Sequence, residues 1–307
     1  MTTIGITGGT GFVGKHLSKL LLGKGYQLII FTRHPKPADK QNLTYAAWDP
    51  EKGTCDIEAL QKLDAAIHLA GAGIADKRWT DARKQEIVNS RVEGTKFLVS
   101  MLRQHAPNCT TLISASAIGY YGPDRDGTPP FKETNVYFND FLGNTCYKWE
   151  HEAVAARDFL RTIIFRFGIV LGAESGAFPQ FAKPQSFGIV PILGSGRQIV
   201  SWIEVDDLAR MLIHALEHQD INGIYNAVAP NPVTHKTLMK TIARIKGGIK
   251  IPIPVPSFAL KIALGEMSEE ILKSCTVSAQ KIQATGFTFQ YDTIDKAVKA
   301  ILKDQYA

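Results

Sequence analysis

The chain has 307 residues, 45% of them hydrophobic and 21% charged, with a formal net charge of +6. Its length exceeds a typical single domain, and its apolar share is ordinary for a globular protein with a sizeable buried core. The modest positive charge is spread along the sequence, and no basic run interleaved with aromatics marks a nucleic-acid face. No apolar run reaches membrane-spanning length, since Ile249–Leu264 is broken by Pro252, Pro254, Pro256 and Lys261. Cys55, Cys109, Cys146 and Cys275 lie far apart, with neither a C-x-x-C pair nor histidines at metal spacing. The expectations are a reduced, cytoplasmic chain without a leader ahead of Gly8, no membrane or nucleic-acid partner, and no metal.

Ile4–Thr7 reads as a strand that runs into Gly8-x-x-Gly11-x-x-Gly14 and a helix over Phe12–Leu22. In a dinucleotide-binding turn, one glycine makes the tight turn and one lets the backbone approach a pyrophosphate. The third lets the helix pack closely on the strand. An ordinary glycine-rich turn is the plain alternative. A Walker-type phosphate loop fits the spacing Gly9-x4-Gly14-Lys15, but His16 stands where a magnesium-ligating Ser or Thr belongs. The next strand, Gln27–Phe31, ends in Thr32-Arg33-His34, and no acidic residue precedes Asp39. Sites that prefer NAD place a carboxylate about 20 residues on, against the ribose 2′-hydroxyl. The planar fork of Arg33 suits a 2′-phosphate instead, so the expected cofactor is NADP.

Strands follow at Leu43–Trp48, Ala65–Leu69, Thr111–Ser114 and Thr162–Ile169, alternating with helices at Ile57–Lys62, Thr80–His105 and Asn139–Arg157. Continuous apolar strands between helices predict a parallel sheet covered on both faces, a doubly wound α/β fold of Rossmann type. Beyond Gly172 the alternation stops. Ala173–Gly196 is rich in Gly, Pro, Ser and Phe and reads as loop. Ser201–Glu217 looks like a strand leading into a helix and Gly223–Val228 like one more strand. Helices lie near His235–Lys246, Ser257–Ala263 and Ile294–Leu302. The expected division is a cofactor-binding domain over 1–172, completed by about 201–230, and a smaller substrate lobe from 173–200 and 231–307.

Thr7–Gly14 resembles the fingerprint of the extended short-chain dehydrogenases, the epimerase/dehydratase group, and the likeness continues in order. His68-Leu69-Ala70-Gly71 resembles the group's fourth-strand signature beside the adenosine and pyrophosphate. Ser114-Ala115-Ser116-Ala117-Ile118-Gly119-Tyr120 is similar to its fifth-strand catalytic serine and following tyrosine, and Arg166–Gly172 to its sixth-strand segment near the nicotinamide. Arg78-Trp79-Thr80, Ser90-Arg91-Val92, Lys148-Trp149-Glu150, Ser201-Trp202-Ile203, Leu264-Gly265-Glu266 and Ala284-Thr285-Gly286-Phe287 resemble one atypical branch. That branch is the NADP-binding epimerase-family proteins of SDR39U type, with their C-terminal segment of unknown function. The resemblance implies cofactor contacts from Gly8, Thr10, Gly11, Phe12, Val13, Gly14, Thr32, Arg33, Leu69, Ala70, Gly71 and Val170. It also implies a homodimer through the long helices.

The departures carry as much information. The parent group needs Tyr-x-x-x-Lys, where the Tyr moves a proton and the Lys lowers its pKa. Aligning Glu150 with the usual helix glutamate puts Leu142 and Cys146 at those places, and no tyrosine here is followed at four by lysine. Val200 stands where sugar-nucleotide epimerases have a diphosphate-gripping Arg, and Arg91 where they have an Asn. Arg91 is expected to contact a cofactor phosphate or ribose, with Glu86 as a weaker neighbour.

Ser116 and Tyr120 are the candidate catalytic residues, against plain roles as a strand-end hydrogen bond and a pocket wall. Tyr121 and Trp202 are candidate substrate walls, although an aromatic in a strand is core by default. Lys148, Trp149 and Glu150 read as packing and solvent-side pairs, Asp206 and Asp207 as helix caps, and His68 as structural. The leading expectation is an NADP(H)-dependent oxidoreductase or epimerase-like enzyme acting on a small polar molecule. The alternative is a non-catalytic NADP(H) sensor with a macromolecular partner.

Overall fold

β-branched and aliphatic runs flanked by helices are buried on both sides, and the computed structural model, which describes residues 2–38 and 40–304, shows how. Asp39 lies outside the described residues. The central sheet uses β1 (Thr3–Thr7), β2 (Gln27–Thr32), β3 (Leu43–Asp49), β4 (Thr54–Cys55), β5 (Ala65–His68), β6 (Thr111–Ala117), β7 (Arg161–Phe167) and β8 (Gly223–Ala227). Their order is β8-β7-β6-β5-β1-β2-β3-β4, with every pair parallel except β3–β4. The order reverses between β1 and β5, where Thr7 lies opposite His68. Ligands of doubly wound sheets bind in the crevice outside the carboxyl ends of strands at such a switch point.

Alternation sorts the core into two layers. Ile4, Ile6, Leu28 and Ile30 face α1 (Phe12–Gly23) and a later helix, Val205–Glu217. Ile29, Phe31, Ala66 and Leu112 face the opposite side, against Leu98, Val99 and Leu102 of the long helix Asp81–His105. In chain order the helices after α1 are α2 (Ile57–Leu60), α3 (Asp81–His105), α4 (Phe141–Val154), α5 (Phe178–Ser186), α6 (Val205–Glu217) and α7 (His235–Lys246). There follow α8 (Ser257–Leu264), α9 (Met267–Leu272), α10 (Gln280–Gln283) and α11 (Ile294–Asp304). No described helix is long and apolar enough to cross a membrane.

Three differences from the expected elements have physical causes. The strand predicted over Thr162–Ile169 breaks at Gly168, after which Ile169–Leu171 leaves the sheet and pairs with Trp202–Glu204. A Cβ on Gly168 would lie 2.7 Å from the Ser201 carbonyl oxygen, so only glycine allows that crossing. Residues expected to be loop form α5, whose Pro179 sits in the first turn and whose Pro184 is tolerated near the end. Thr80 and Asp140 lie just outside their helices and cap them, accepting from the N–H of Arg83 and Gly143.

The residues after α9 thread back through the molecule. Ser201 Oγ donates to the Cys275 carbonyl and accepts from the Val277 N–H, while Asp124 accepts from Ser274 Oγ, Thr276 Oγ1 and the Thr276 N–H. Fully buried Asp207 accepts the N–H groups of Gln290 and Tyr291 and pairs with Arg210. Cap roles expected for Asp206 and Asp207 fall instead to Glu204, whose Oε2 accepts both of their N–H groups at the start of α6.

Candidate active site at the switch point

Each glycine of the first turn has a distinct steric reason. Gly8 adopts φ +71°, and a Cβ there would meet the Leu69 carbonyl carbon at 2.6 Å. Gly14 opens α1 so close to the turn that a Cβ would sit 2.3 Å from the Gly8 oxygen. Gly11 is the least crowded of the three: the one atom a Cβ would crowd is the Gly8 oxygen, at 3.2 Å. Thr10 and Gly11 are exposed, and Phe12 and Val13 are half-buried at the mouth. Like α5, α8 and α10, α1 has neither a side-chain cap nor an acidic residue in its first turn, and of these it is the one that opens from the glycine turn at the switch point. Its N-terminal dipole and free N–H groups are therefore available to an anion.

The neighbouring strand ends complete the mouth. Thr32 is half-buried at the end of β2 and Arg33 is exposed, with no ion pair among the described residues. Leu69 and Ala70 lie beside the glycine turn, and Gly71 is exposed. Glu86 on α3 pairs with Arg83 Nη1 at 2.6 Å, and that hydrogen bond lowers its pKa, with Arg33 adding a weaker pull. Arg91 is 9% exposed and has no carboxylate partner among the described residues. Its Nη1 donates to the Ala72 and Ile87 carbonyls at 3.0 and 3.2 Å, and its guanidinium lies over Trp149. Burial lowers its pKa. This buried cation, without a carboxylate partner among the described residues and hydrogen-bonded directly to the loop after β5, could be offset by an incoming negative charge. Val170 is half-buried on the strand that pairs with Trp202–Glu204, its carbonyl oxygen 2.8 Å from where a Gly176 Cβ would lie.

His68 is structural, and its tautomer follows from its neighbours. Thr95 Oγ1 donates to the Arg91 carbonyl at 2.6 Å, so it accepts from His68 Nε2–H at 2.9 Å. Nδ1 then accepts from Thr7 Oγ1 at 2.6 Å. Burial pushes the ring down to about 4, leaving it neutral at the switch point.

Beyond β6 lies a polar cluster that sequence reasoning missed. Ser116 Oγ donates to Glu150 Oε1 at 2.6 Å. Arg166 grips the same carboxylate with Nε and Nη2, both at 2.8 Å, and donates from Nη1 to the Tyr121 hydroxyl at 2.7 Å. Tyr121 donates onward to Asn226 Oδ1 at 2.8 Å. The guanidinium of Arg166 covers the Tyr120 ring at 3.4 Å. Burial works against the charge of Arg166, but the Glu150 contacts outweigh it and raise its pKa. The expected solvent-side role of Glu150 is thereby corrected, since it is only 5% exposed. One signal was present: Arg166 is the sole charge within the apolar run Thr162–Ile169.

Tyr121 and Trp202 are also corrected as substrate walls. Both are fully buried, the Trp202 Nε1 donating to the Asn231 carbonyl, so neither ring has a surface to offer. Tyr120 is half-buried, and desolvation raises its pKa. At the places of the missing pair, Leu142 packs with Trp79, Ile87 and Met267, the last from α9. Cys146 is buried, its thiol pushed up to about 12 by desolvation.

Comparison with known proteins agrees with this geometry. The model of the NAD dependent epimerase/dehydratase family matches residues 4–227, and that of a domain of unknown function, DUF1731, matches residues 255–301. The epimerase family protein YfhF of Bacillus subtilis is 38% identical over 304 residues, 98% of both chains. The crystal structure of the human epimerase family protein SDR39U1 with NADPH superposes with a TM-score of 0.86 at 28% identity, covering 99% of this chain and 100% of that one. UDP-glucuronic acid 4-epimerase from Bacillus cereus, in complex with UDP-glucuronic acid and NAD, shares the fold at a TM-score of 0.82 and 19% identity, with 99% of each chain covered. The glycine turn, the switch point and the matched span together establish that this chain belongs to the NAD dependent epimerase/dehydratase family and carries that family's Rossmann fold, followed by a DUF1731 segment.

Proposed function

We propose that the protein binds NADP(H) and works as an epimerase-family oxidoreductase on a small polar substrate. The observation that carries this reading is the uncapped N-terminus of α1 beneath the glycine turn, with exposed Arg33 on the neighbouring strand end. The residues fit a dinucleotide: only the Gly8 oxygen crowds Gly11, where the diphosphate would lie, and Arg33, exposed and without an ion pair among the described residues, can offer its fork to a 2′-phosphate. The NADPH in SDR39U1 supports the same choice, while the NAD in the Bacillus cereus enzyme supports only the wider class NAD(P). When bound, the nicotinamide supplies hydride exchange.

The chain itself supplies position and a proton path. Ser116 is itself only 2% exposed and has committed its hydrogen to Glu150, so a substrate that reaches the end of β6 meets an accepting Oγ there, suited to a hydroxyl rather than a carbonyl. With Leu142 and Cys146 in place of the acid–base pair, proton transfer falls to Tyr120, to water, or to Ser116 as a relay that takes a substrate proton while passing its own to the Glu150 carboxylate. Residues 173–200 and 231–307 would furnish the substrate side.

Calorimetry with NADPH and NADH tests the cofactor. Arg33→Ala is expected to cost about 1.5–3 kcal/mol in NADPH affinity, and equal affinities for the two cofactors in the unmutated protein would refute the assignment. A panel of aldehydes, ketones and sugar nucleotides, followed by cofactor absorbance, tests the chemistry. Slow or absent turnover of UDP-sugars is expected, and Ser116→Ala slows whichever substrate does react. Apolar packing of Leu142 under Met267 favours a second reading, a cofactor-binding sensor without catalysis. NADPH binding with no turnover across the panel would select it.

A further inference from the structure

Large apolar side chains stand exposed in one stretch of the fold: Phe187, Ile249, Ile251, Ile253, Phe258 and Ile262. Their arrangement follows from pairing. The strands Ile189–Leu193 and Ile251–Val255 are parallel, with Ile189 beside Ile251 and Pro191 beside Ile253. Val190 and Ile192 point inward against Met239, so the alternate residues form an outward face that is apolar throughout. Gly188 abuts the Ile249 carbonyl, which brings Phe187 to the same edge. The ribbon runs through Pro256 into α8, of which only Leu260 is buried. Phe258 and Ile262, one turn apart there, are 68% and 72% exposed.

The two stretches of chain that build this face carry charge of one sign, while α9, packed on α8, follows Glu266 and carries Glu269 and Glu270. No Asp or Glu occurs between Glu174 and Glu204 or between Asp220 and Glu266, while the two stretches hold six lysines and two arginines. The evenly spread charge expected from the sequence is thus an average over a basic tract and a slightly acidic remainder. Arg244 is offset by Asp295, but Lys250 and Lys261 have no ion pair among the described residues.

Two occupants are disfavoured. Ile251 spends its N–H on the Gly188 carbonyl, inside the ribbon. Pro252 and Pro254 therefore fall where N–H groups would face outward, and proline has none, so an added strand finds no donors. A second copy docked face to face would press two basic surfaces together. We propose that this face docks the protein on an anionic bilayer surface, the apolar side chains entering the acyl boundary and the lysines reaching lipid phosphates. The proposal revises the expectation of no membrane partner, which rested on the lack of a spanning run.

Co-sedimentation of the full chain with vesicles tests it. Binding is expected to phosphatidylcholine–phosphatidylglycerol vesicles and not to phosphatidylcholine alone, and is expected to fall as salt rises. Lys250→Glu with Lys261→Glu is expected to weaken binding by roughly tenfold or more, and Phe258→Ser with Ile262→Ser by about the same factor. Thermal melts should be unchanged in both, because Lys250 is half-exposed and the other three are exposed. No sedimentation with anionic vesicles overturns the proposal, as does sedimentation that neither double variant weakens. A dimer that Phe258→Ser with Ile262→Ser dissolves, in a protein that ignores vesicles, would assign the face to a second copy.

Discussion

Glu150 and Arg166 are buried charges that neutralise each other, and removing one leaves the other stranded. Glu150→Ala is expected to cost about 3–5 kcal/mol of folding stability, the usual penalty for breaking a buried pair, and urea unfolding measures it. Glu204 makes a pH prediction. Burial, reinforced by Asp206 and Asp207, raises its carboxyl to about 8. Below the ordinary value near 4.5 both folded and unfolded chains hold the proton. Between that value and about 8 the folded state holds a proton that the unfolded chain has lost, so this residue's contribution falls as pH rises. Glu204→Gln keeps an acceptor for the α6 cap and removes the titration. Its stability relative to the parent is expected to grow from pH 5 to pH 8 in melts taken across that range, and a constant difference would count against the shift. Apart from the lone charge of Arg166 in its apolar run, the Glu150–Arg166 pair was not legible beforehand. A buried ion pair needs two elements to meet, and the sequence between Glu150 and Arg166, 16 positions apart, carries no sign that a helix and a strand will bring them together.

At the scale of elements, the sequence was most legible where the constraint is local. The glycine turn, the apolar strands and the bounds of α7 follow from steric rules within a few residues. Gly11→Val should leave the fold largely intact and abolish NADPH binding, since its Cβ would crowd only the Gly8 oxygen while the side chain fills the space the diphosphate needs. Gly14→Ala should lower stability and weaken binding together, because its Cβ would press on the glycine turn itself. Its Cβ would lie 2.3 Å from the Gly8 oxygen, and overpacking of this kind costs about 1–3 kcal/mol. Circular dichroism melts with an NADPH titration separate the two outcomes. Elements that depend on what they pack against were harder to foresee. Helix α5 hides behind two prolines, and the break at Gly168 is set by a carbonyl from Ser201, far along the chain.

Across the whole molecule, least legible was the return of the segment after α9. Trp202 and Tyr121 look like pocket residues because their strands end near the site, yet neighbouring and returning residues bury them. Asp207 holds part of that return through two backbone N–H groups. Asp207→Ala is expected to destabilise the fold by roughly 2–4 kcal/mol, since each unpaired buried donor costs about 1–3. Faster amide exchange over 288–304, with β1 and β5 unchanged, is the accompanying signature. The threading also has a consequence for biosynthesis. Every strand of the central sheet is made before Ser274–Val277 and Gln290–Tyr291 emerge from the ribosome, so Asp124, Ser201 and Asp207 wait with polar groups unanswered. The growing chain can form its sheet early, but it locks the end of β6 only when the last tract arrives, and until then it stays open to proteases and chaperones.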